Sequence, residues 1–380
     1  MRFLYSTLLL LLSALLFAQQ PFLGEQVESI KAGDGTLLSV QRLARDLNHP
    51  WGLTFLSETV LLVTERNSGK LLRIDIETGK KTTIKGTPDV VAMGQGGMMD
   101  VALHPTNGYL YLTYAKPGEG AMSTTALGRG RLQGDSLVDF TDIFLQQPWL
   151  NGDKHYGNRV VFSEDGRYLY LGLGERFQFE PAQDLDTHFG KVVRLNADGS
   201  VPADNPFVGR ANAKPENWSY GHRNIESLAV QPGTGNVYLV EMGPLGGDEL
   251  NRVVRGDNYG WPLESHGDHY DGRDIPDPAP NSPHHQPVRY WNPVISPSGM
   301  TFYTGDEFPQ WRGHCFVGGL SSRDLVRLRI DGDRVLEEER FPMPGRIREV
   351  ENGPDGALYL LMDDAKGEVW RIMPLVAKNQ

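Results

Sequence analysis

One histidine and two alternating arginines are the residues of this chain whose types and spacing best suit chemistry. His155 stands in residues 154–159, where a loop meets a predicted strand, and an imidazole that titrates near neutrality can act there as a general base. Arg346 and Arg348 alternate along an extended segment, which places both guanidinium groups on one face, as an anionic ligand would need. The alternatives are a structural hydrogen-bonding histidine and a solvated strand face.

Two more loop segments offer hydrogen-bonding groups, and each precedes a predicted strand. Residues 94–97 surround Gln95 with glycines, so the backbone can approach a flat ligand closely while the side-chain amide hydrogen-bonds to it. Residues 220–224 place a fixed cation, Arg223, beside the amide of Asn224. A plain glycine turn and a surface salt bridge are the alternatives for these two segments.

Residues 241–249 have the oxygen-rich composition of a calcium site. Gly243 and Pro244 leave backbone carbonyls free, and the carboxylates of Asp248 and Glu249 follow closely. Ca²⁺ prefers such oxygen ligands, although the spacing is not that of an EF-hand loop. The segment therefore predicts Ca²⁺ binding.

Composition and missing motifs argue against several other functions. The 48 acidic residues outnumber the 37 basic ones, and the net charge of -11 argues against nucleic-acid binding and against docking on anionic lipid. The sequence has no glycine-rich dinucleotide fingerprint, Walker phosphate loop, His-Glu-x-x-His or Gly-x-Ser-x-Gly motif. Nicotinamide-dependent and serine-hydrolase chemistry are therefore disfavoured.

A repeated set of strands has to position these segments. One phrase recurs: an apolar pair, a short turn containing Pro, Asp or Gly, and a strand that is commonly built around Tyr. It occupies six ranges, the last two being weaker copies: residues 102–112, 161–171, 228–239, 352–360, 53–63 and 300–317. Six such copies predict an all-β, six-bladed β-propeller with four-stranded antiparallel blades and few, short helices. Two stacked β-sandwiches, the alternative, would explain the strands but not the recurring phrase.

A propeller gathers the loops that connect its blades at one end of the central axis. The polar segments described above are therefore predicted to meet there. The longest connection, residues 257–297, is rich in Pro, Asp and His and gives no secondary-structure signal in its interior. We predict that it forms a rim or lid at that end.

The N-terminus has the pattern of an export signal. Residues 1–18 combine Arg2 with an apolar run that is too short to span a bilayer comfortably, and no second such stretch follows. We interpret residues 1–18 as a signal peptide and residues 19–380 as a single propeller domain, with a membrane anchor as the alternative. Cys315 is the only cysteine, so no internal disulfide can form, and its flanks predict a buried strand thiol.

From His49 to Trp370, nearly the whole chain resembles the soluble aldose sugar dehydrogenases of the glucose/sorbosone dehydrogenase family. The stretches that carry the resemblance are residues 94–97, 155–159, 182–185, 218–224, 246–251, 258–262 and 346–348. Members of that family are six-bladed propellers that use pyrroloquinoline quinone and Ca²⁺. The resemblance therefore implies the same fold and the same two cofactors for this chain.

The resemblance also implies roles for individual residues. His155 matches the base that takes the sugar hydroxyl proton while a hydride moves to the quinone, and Arg223 would stabilise the negative charge that the transfer creates. The residues that match cofactor ligands are Gln95, Arg223, Asn224, Arg346 and Arg348. The carbonyls of Gly243 and Pro244 match ligands of the catalytic Ca²⁺, and Glu249 and Tyr259 match positions near a second Ca²⁺.

Three departures from the family pattern fall in the expected cofactor pocket. Ser321 stands where members usually carry a cofactor-binding Lys. Residues 225–227 read Ile-Glu-Ser after the Arg-Asn pair, where Pro-Gln-Gly is usual, and Met242 replaces a common His.

The leading functional hypothesis is a periplasmic or secreted quinoprotein that oxidises the C1 hydroxyl of aldose sugars to lactones. It would pass electrons to a soluble acceptor, with no nucleic-acid partner and no stable membrane association. A Ca²⁺-dependent propeller lactonase or hydrolase would need the acidic loop but not the arginine pair. A non-catalytic ligand-binding propeller is favoured only by the three departures.

Overall fold

The repeats of the sequence form antiparallel sheets arranged about a common axis. The structure is a computed structural model that describes residues 24–375, so the predicted signal peptide at residues 1–18 lies outside the described residues. The six sheets confirm the prediction of an all-β, six-bladed propeller with antiparallel blades. Five blades have four strands, and the sixth has five.

The blades follow one another in chain order. Two N-terminal strands come first: β1 (Glu25–Lys31) and β2 (Leu37–Leu47). Blade 1 contains β3 (Pro50–Ser57), β4 (Val60–Glu65), β5 (Lys70–Asp75) and β6 (Lys81–Ile84). Blade 2 contains β7 (Met98–Leu103), β8 (Leu110–Pro117), β9 (Ser123–Gln133) and β10 (Ser136–Leu145). Blade 3 contains β11 (Gly157–Phe162), β12 (Tyr168–Leu173), β13 (Lys191–Asn196) and β14 (Asn217–Tyr220).

The second half of the chain repeats this arrangement. Blade 4 contains β15 (Ile225–Val230), β16 (Val237–Glu241), β18 (Asp248–Arg252) and β20 (Arg289–Trp291), with the two-stranded sheet of β17 (Leu245–Gly246) and β19 (Gly267–Asp268) beside it. Blade 5 contains β21 (Pro297–Phe302), β22 (Cys315–Gly319), β23 (Asp324–Asp331) and β24 (Arg334–Pro342). Blade 6 contains β25 (Ile347–Asn352), β26 (Leu358–Met362) and β27 (Gly367–Pro374), together with β2 and β1.

The two ends of the chain close the ring. Strand β2 pairs antiparallel with β27, from Leu38 opposite Pro374 to Leu47 opposite Gly367. The innermost strands β3, β7, β11, β15, β21 and β25 pack side by side, and β25 returns to β3. Closure of this kind leaves no blade interface uncovered and protects the strand edges.

Apolar packing holds neighbouring blades together, and the tyrosine of the repeated phrase takes part in it. Each of the six blade interfaces contains one cluster of buried apolar side chains. Tyr238 in blade 4 is fully buried, and its hydroxyl donates to the carbonyl of Gly332 in blade 5 at 2.9 Å. Buried tyrosines combine a large apolar ring with a hydroxyl that needs a partner, so Tyr238 fastens blade 4 to blade 5.

All six innermost strands are irregular where they begin. Each pairs with the second strand of its blade through a register shift in its first residues, for example between Ile225 and Ser227 and between Ile347 and Glu349. A β-bulge inserts one extra residue and turns its side chain in a new direction. The extra residues in these two strands are Glu226 and Arg348, both of which line the cavity described below.

Helical structure and the long connection complete the description. Two three-residue 3-10 helices, Glu180–Ala182 and Pro309–Trp311, are the helices of residues 24–375, as the sequence predicts. Residues 257–297 carry two short strands, β19 and β20, that were not predicted, because strands of two or three residues have no readable periodicity. Cys315 is buried on β22 as expected. Within the described residues, no helix is long and apolar enough to cross a bilayer.

Candidate active site

A cavity of about 240 Å³ opens at the end of the axis where the innermost strands begin. The bulged strand starts contribute Trp51, Met99, Glu226 and Arg348 to its lining. Loop residues Gln95, Arg66 and Arg346 complete its polar wall. We call this cavity the arginine pocket, after Arg66, Arg346 and Arg348.

The two predicted arginines of the pocket share one carboxylate outside it. Arg348 is buried, and its Nη2 lies 2.9 Å from Oδ2 of Asp363. Arg346 remains 46% exposed, with its Nη2 3.6 Å from the same oxygen. Although burial acts in the opposite direction, the Arg348 guanidinium holds the pKa of Asp363 well below its usual range. Asp363 therefore stays ionised and fixes both arginines at the pocket wall.

Buried nitrogen atoms at this end of the axis lack hydrogen-bond partners. The Nε atoms of Arg348 and Arg223 are both buried and have no acceptor among the described residues. An unsatisfied buried donor is costly, and more so on a charged group. Such donors indicate a site where the anionic oxygen atoms of a bound ligand would accept these hydrogen bonds.

A further buried arginine, Arg159, contacts residues that line the pocket. Arg159 is buried, and its Nε donates to the carbonyl of Glu226 at 2.8 Å while Nη2 donates to the carbonyl of Arg348 at 3.0 Å. Its guanidinium also stacks 4.0 Å from the ring of Trp51. Arg159 thus ties the bulged strands of three blades together behind three lining residues of the pocket, Glu226, Arg348 and Trp51.

The two predicted amides differ in position. Gln95 lines the pocket, and its Oε1 accepts a hydrogen bond from the backbone N–H of His155 at 2.6 Å. The Asn224 amide is buried behind the wall, where it donates to Oε1 of Glu226 at 2.7 Å and accepts from the N–H of Gly157 at 3.2 Å. Asn224 therefore does not line the pocket itself. It orients two residues that do, Glu226 and Gly157.

His155 forms a buried pair with an acid that the sequence did not single out. Its Nδ1 lies 2.8 Å and 3.0 Å from the two carboxylate oxygens of Glu175, a side chain with no solvent exposure. Burial lowers the pKa of His155 despite the opposing effect of Glu175, so the imidazole is neutral at pH 7. A carboxylate at Nδ1 fixes the tautomer whose proton is on Nδ1 and leaves the Nε2 lone pair available as a base.

The backbone around this pair is unusually constrained. His155 has φ of 50° and Phe177 has φ of 63°, a left-handed conformation that is strained for non-glycine residues. Gly174, next to Glu175, lies against the segment that carries His155. A Cβ added to Gly174 would come 2.1 Å from the carbonyl oxygen of His155. The N–H of Phe177 also donates to the Glu175 carboxylate. The strain therefore accompanies a close approach that sets the imidazole and the carboxylate in contact.

Arg223 connects the His155–Glu175 pair to the acidic loop of residues 241–249. It is buried, and Nη1 donates to the carbonyls of Met242 and Gly243 at 2.9 Å and 2.7 Å. The backbone N–H of Glu175 donates to the carbonyl of Arg223 at 2.9 Å.

Aromatic rings border this region. The ring of Phe177 meets that of His155 edge-on at 5.0 Å, and Phe179 lies 5.0 Å from Phe177. Trp261 continues the row at 5.7 Å from Phe179, and its ring lies 5.3 Å from the Arg223 guanidinium. An apolar aromatic wall therefore runs from the candidate base to the candidate charge-stabilising arginine.

All four predicted metal residues line a second, much smaller cavity. It measures about 20 Å³, enough for about one water molecule, and its lining includes Gly243, Pro244, Glu249 and Tyr259. We call it the carboxylate pocket, because Glu241 and Glu264 line it as well. The hydroxyl of Tyr259 is engaged elsewhere, since it accepts from the N–H of Val254 at 2.8 Å and donates to the carbonyl of Arg252.

Burial destabilises the charged forms of two acids here, Glu249, which lines the carboxylate pocket, and the adjacent Asp248, which does not. Burial, and then the negative charge of Glu241, raise the pKa of Glu249 to about 8. Burial also raises the pKa of Asp248 to about 6, although its carboxylate accepts hydrogen bonds from the N–H groups of Gly243, Ile295 and Ser296. A cation would favour the ionised forms of these acids. Among the described residues, no three carboxylate, imidazole or thiol groups converge in the manner of a protein-only metal centre.

Sequence reasoning missed several polar residues of the site, among them Glu175 and Arg66. Glu175 follows the end of β12, and Arg66 follows the end of β4, so both stand at strand ends that face the axis. A search for charged residues immediately after repeat strands would have found both. What the sequence could not give is their partners, which lie on other parts of the chain.

Comparison with known proteins places this geometry in a family. The sequence profile of the Glucose / Sorbosone dehydrogenase family matches residues 47–371. The aldose sugar dehydrogenase YliI of Escherichia coli is 40% identical over 346 residues, which cover 89% of this chain and 93% of that protein.

Solved structures agree with the sequence comparison. A glucose dehydrogenase crystal structure superposes with a TM-score of 0.84 at 45% identity, over 87% of this chain and 98% of that one. The PQQ-bound aldose sugar dehydrogenase of Streptomyces coelicolor superposes with a TM-score of 0.72 at 27% identity, over 88% of this chain and 98% of that one. This chain therefore belongs to the glucose/sorbosone dehydrogenase family.

Proposed function

We propose that this chain is a quinoprotein that oxidises the C1 hydroxyl of aldose sugars to lactones, using pyrroloquinoline quinone and Ca²⁺. The observation that carries the proposal is the joining of two features at one end of the axis. One is a pocket lined by three arginines, beside buried guanidinium nitrogens that have no acceptor in the described part of the chain. The other is the His155–Glu175 pair, whose backbone is hydrogen-bonded to Gln95 of that pocket.

The arginine pocket fits a flat anionic cofactor. Pyrroloquinoline quinone is a planar tricarboxylate, and guanidinium groups bind carboxylates in a planar, two-pronged geometry. Arg346 and Arg348 would hold its carboxylates, and Gln95 would border it from the loop. The name of the PQQ-bound Streptomyces relative supports the same cofactor for this chain.

The carboxylate pocket fits a cation of the calcium type. Gly243 and Pro244 line it, and Ca²⁺ readily combines carbonyl, carboxylate and water oxygens. The Gly243 carbonyl accepts a hydrogen bond from Arg223, which lines the same pocket, so a cation would share or replace this bond. Glu249 would supply a carboxylate, with its pKa of about 8 falling once a cation is present. Bound at these two sites, the quinone would supply a two-electron acceptor and Ca²⁺ would polarise its carbonyl oxygens.

The side chains of this chain would handle the proton and the developing charge. His155 Nε2 would accept the proton of the C1 hydroxyl, while Glu175 holds the Nδ1 proton and stabilises the imidazolium that forms. Arg223, fixed by the carbonyls of Met242 and Gly243, would face negative charge as it develops. Phe177 and Phe179 would exclude water from the reacting hydroxyl and offer apolar faces to the sugar ring.

We further propose that the protein acts outside the cytoplasm and passes electrons to a soluble acceptor. The support is the charged and apolar pattern of residues 1–18, which is typical of a cleaved signal peptide. Protein sequencing of the exported mature form, which should lack those residues, tests this part of the proposal.

Reconstitution of the purified protein tests the proposed activity. The apo protein is titrated with pyrroloquinoline quinone in the presence of Ca²⁺, and aldose sugars are then added under anaerobic conditions. We expect stoichiometric binding and a sugar-dependent change from the oxidised to the reduced absorption spectrum, with a lactone as product. Binding without reduction by any aldose would favour a ligand-binding propeller, and absence of binding would refute the proposal.

A further inference from the structure

We propose that Arg66 is a third cationic ligand for the carboxylates of the bound quinone and makes up for charge that this pocket lacks. The inference rests on the proposed function and assigns a role to a residue that neither the motifs nor the family resemblance singled out. It follows from the position of Arg66, from its missing acidic partner and from the charges around it.

The backbone of Arg66 is held rigidly at the pocket. It directly follows β4, and its N–H donates to the carbonyl of His49 at 3.0 Å. Its own carbonyl accepts from the N–H of Met98 at 3.1 Å, at the start of the neighbouring blade. The half-buried side chain lines the arginine pocket together with Arg346 and Arg348. Blade 1 and blade 6 therefore supply cations to the pocket from adjacent positions.

Arg66 differs from the other two arginines in having no directly paired carboxylate among residues 24–375. Within the described residues, no carboxylate oxygen lies within 4.0 Å of its guanidinium, whose Nε donates to the amide oxygen of Asn67 at 3.1 Å. Arg346 and Arg348, in contrast, both lie near Asp363. Burial and the positive charge of Arg348 lower the pKa of Arg66, the negative charges of Asp363 and Glu226 oppose this shift, and Arg346 adds to it. A partly buried cation beside two others is stabilised when an anion occupies the space between them.

The sequence departures explain why a third cation is needed. Ser321, in the place of a family Lys, is exposed, and its Oγ accepts from Ser296 Oγ at 2.8 Å. Glu226, in the place of a family Gln, lines the pocket and lies 3.2 Å from Nη1 of Arg348. Relative to the family pattern, the pocket therefore has one cation fewer and one carboxylate more. Arg66 supplies a positive charge that forms no direct ion pair with a carboxylate of the described residues, although Asp363 and Glu226 attract it from a greater distance.

Calorimetric titration with pyrroloquinoline quinone at fixed Ca²⁺ tests the assignment on the full chain. Arg66→Gln removes the charge, Arg66→Lys keeps the charge but not the two-pronged donor geometry, and Arg45→Gln is the control. The Arg45 side chain is 71% exposed and contacts only the neighbouring Asp46 at 3.8 Å among carboxylates. We expect binding about 10- to 100-fold weaker for Arg66→Gln, an intermediate loss for Arg66→Lys and no change for the control.

Thermal unfolding gives a second readout that does not depend on turnover. Without cofactor, Arg66→Gln should melt at or above the temperature of the unchanged protein, because the substitution relieves repulsion between like charges. With cofactor, the rise in melting temperature should be smaller for this variant, because the stabilisation by a ligand follows its affinity. A large loss of apo stability in both Arg66 variants would show a structural role and overturn the assignment.

The outcomes separate this inference from the proposed function. If the unchanged chain binds the quinone and Arg66→Gln binds it equally tightly, only the role of Arg66 is wrong. If the unchanged chain does not bind the quinone at all, the proposed function fails, and the role of Arg66 fails with it.

Discussion

Replacement of Glu175 by Gln is the most direct test of the proposed chemistry. The carboxylate is fully buried, and its oxygens lie 2.8 Å and 3.0 Å from His155 Nδ1. The substitution therefore removes the negative charge beside the imidazole while nearly preserving the size of the side chain. A hydrogen bond to a charged group contributes about 1.5 to 3 kcal/mol. Since about 1.4 kcal/mol corresponds to a tenfold change in rate, kcat should fall about 10- to 100-fold.

The pH dependence of kcat in the same variant provides an independent test. A general base must be deprotonated, so activity is lost as the pH falls through the pKa of His155. Burial already lowers this pKa, and the Glu175 carboxylate opposes that shift. Removing the carboxylate should therefore lower the pKa further and move the acidic limb of the kcat profile to lower pH, even though the rate falls at every pH.

Two companion variants and one binding measurement complete this experiment. Glu175→Asp retains the charge and should recover part of the lost rate. Glu180→Gln, an exposed acid in the same loop, should behave like the unchanged enzyme. Binding of pyrroloquinoline quinone should remain nearly constant in all of them, because Glu175 does not line the arginine pocket. A Glu175→Gln enzyme with kcat within about threefold of normal and an unshifted acidic limb would refute the reasoning.

Three further predictions use the same reconstituted enzyme. His155→Gln should lose about 10²- to 10⁴-fold in turnover while keeping cofactor affinity, and unchanged turnover on a good sugar would reject His155 as the base. Exhaustive chelation should abolish activity and added Ca²⁺ should restore it, because Gly243, Pro244 and Glu249 line a cation-sized cavity; full activity in a metal-free sample, verified by elemental analysis, would contradict this. Ser321→Lys should tighten quinone binding about tenfold or more without changing the fold, and equal affinities in calorimetry would mean that position 321 does not face the cofactor.

The sequence determined the fold because the information that specifies a blade is local. Each apolar strand, turn and second strand is continuous along the chain, and the repeated phrase predicts that six similar units stack around an axis. The recurrent Tyr could be read in the same way, and the structure explains it through contacts such as Tyr238 with Gly332. The residue types of His155, Arg223 and Arg348 were equally visible.

The tertiary structure alone decided how those residues are paired and where they point. Alternation along a strand predicts its two faces only while the register is regular, and the bulges that turn Glu226 and Arg348 into the pocket break that register. Glu175 reaches His155 across the two strands of one blade, and Arg66 meets Arg348 only because blade 1 closes against blade 6. Such partners are distant in sequence and are set by ring closure, so no local pattern of residues contains them.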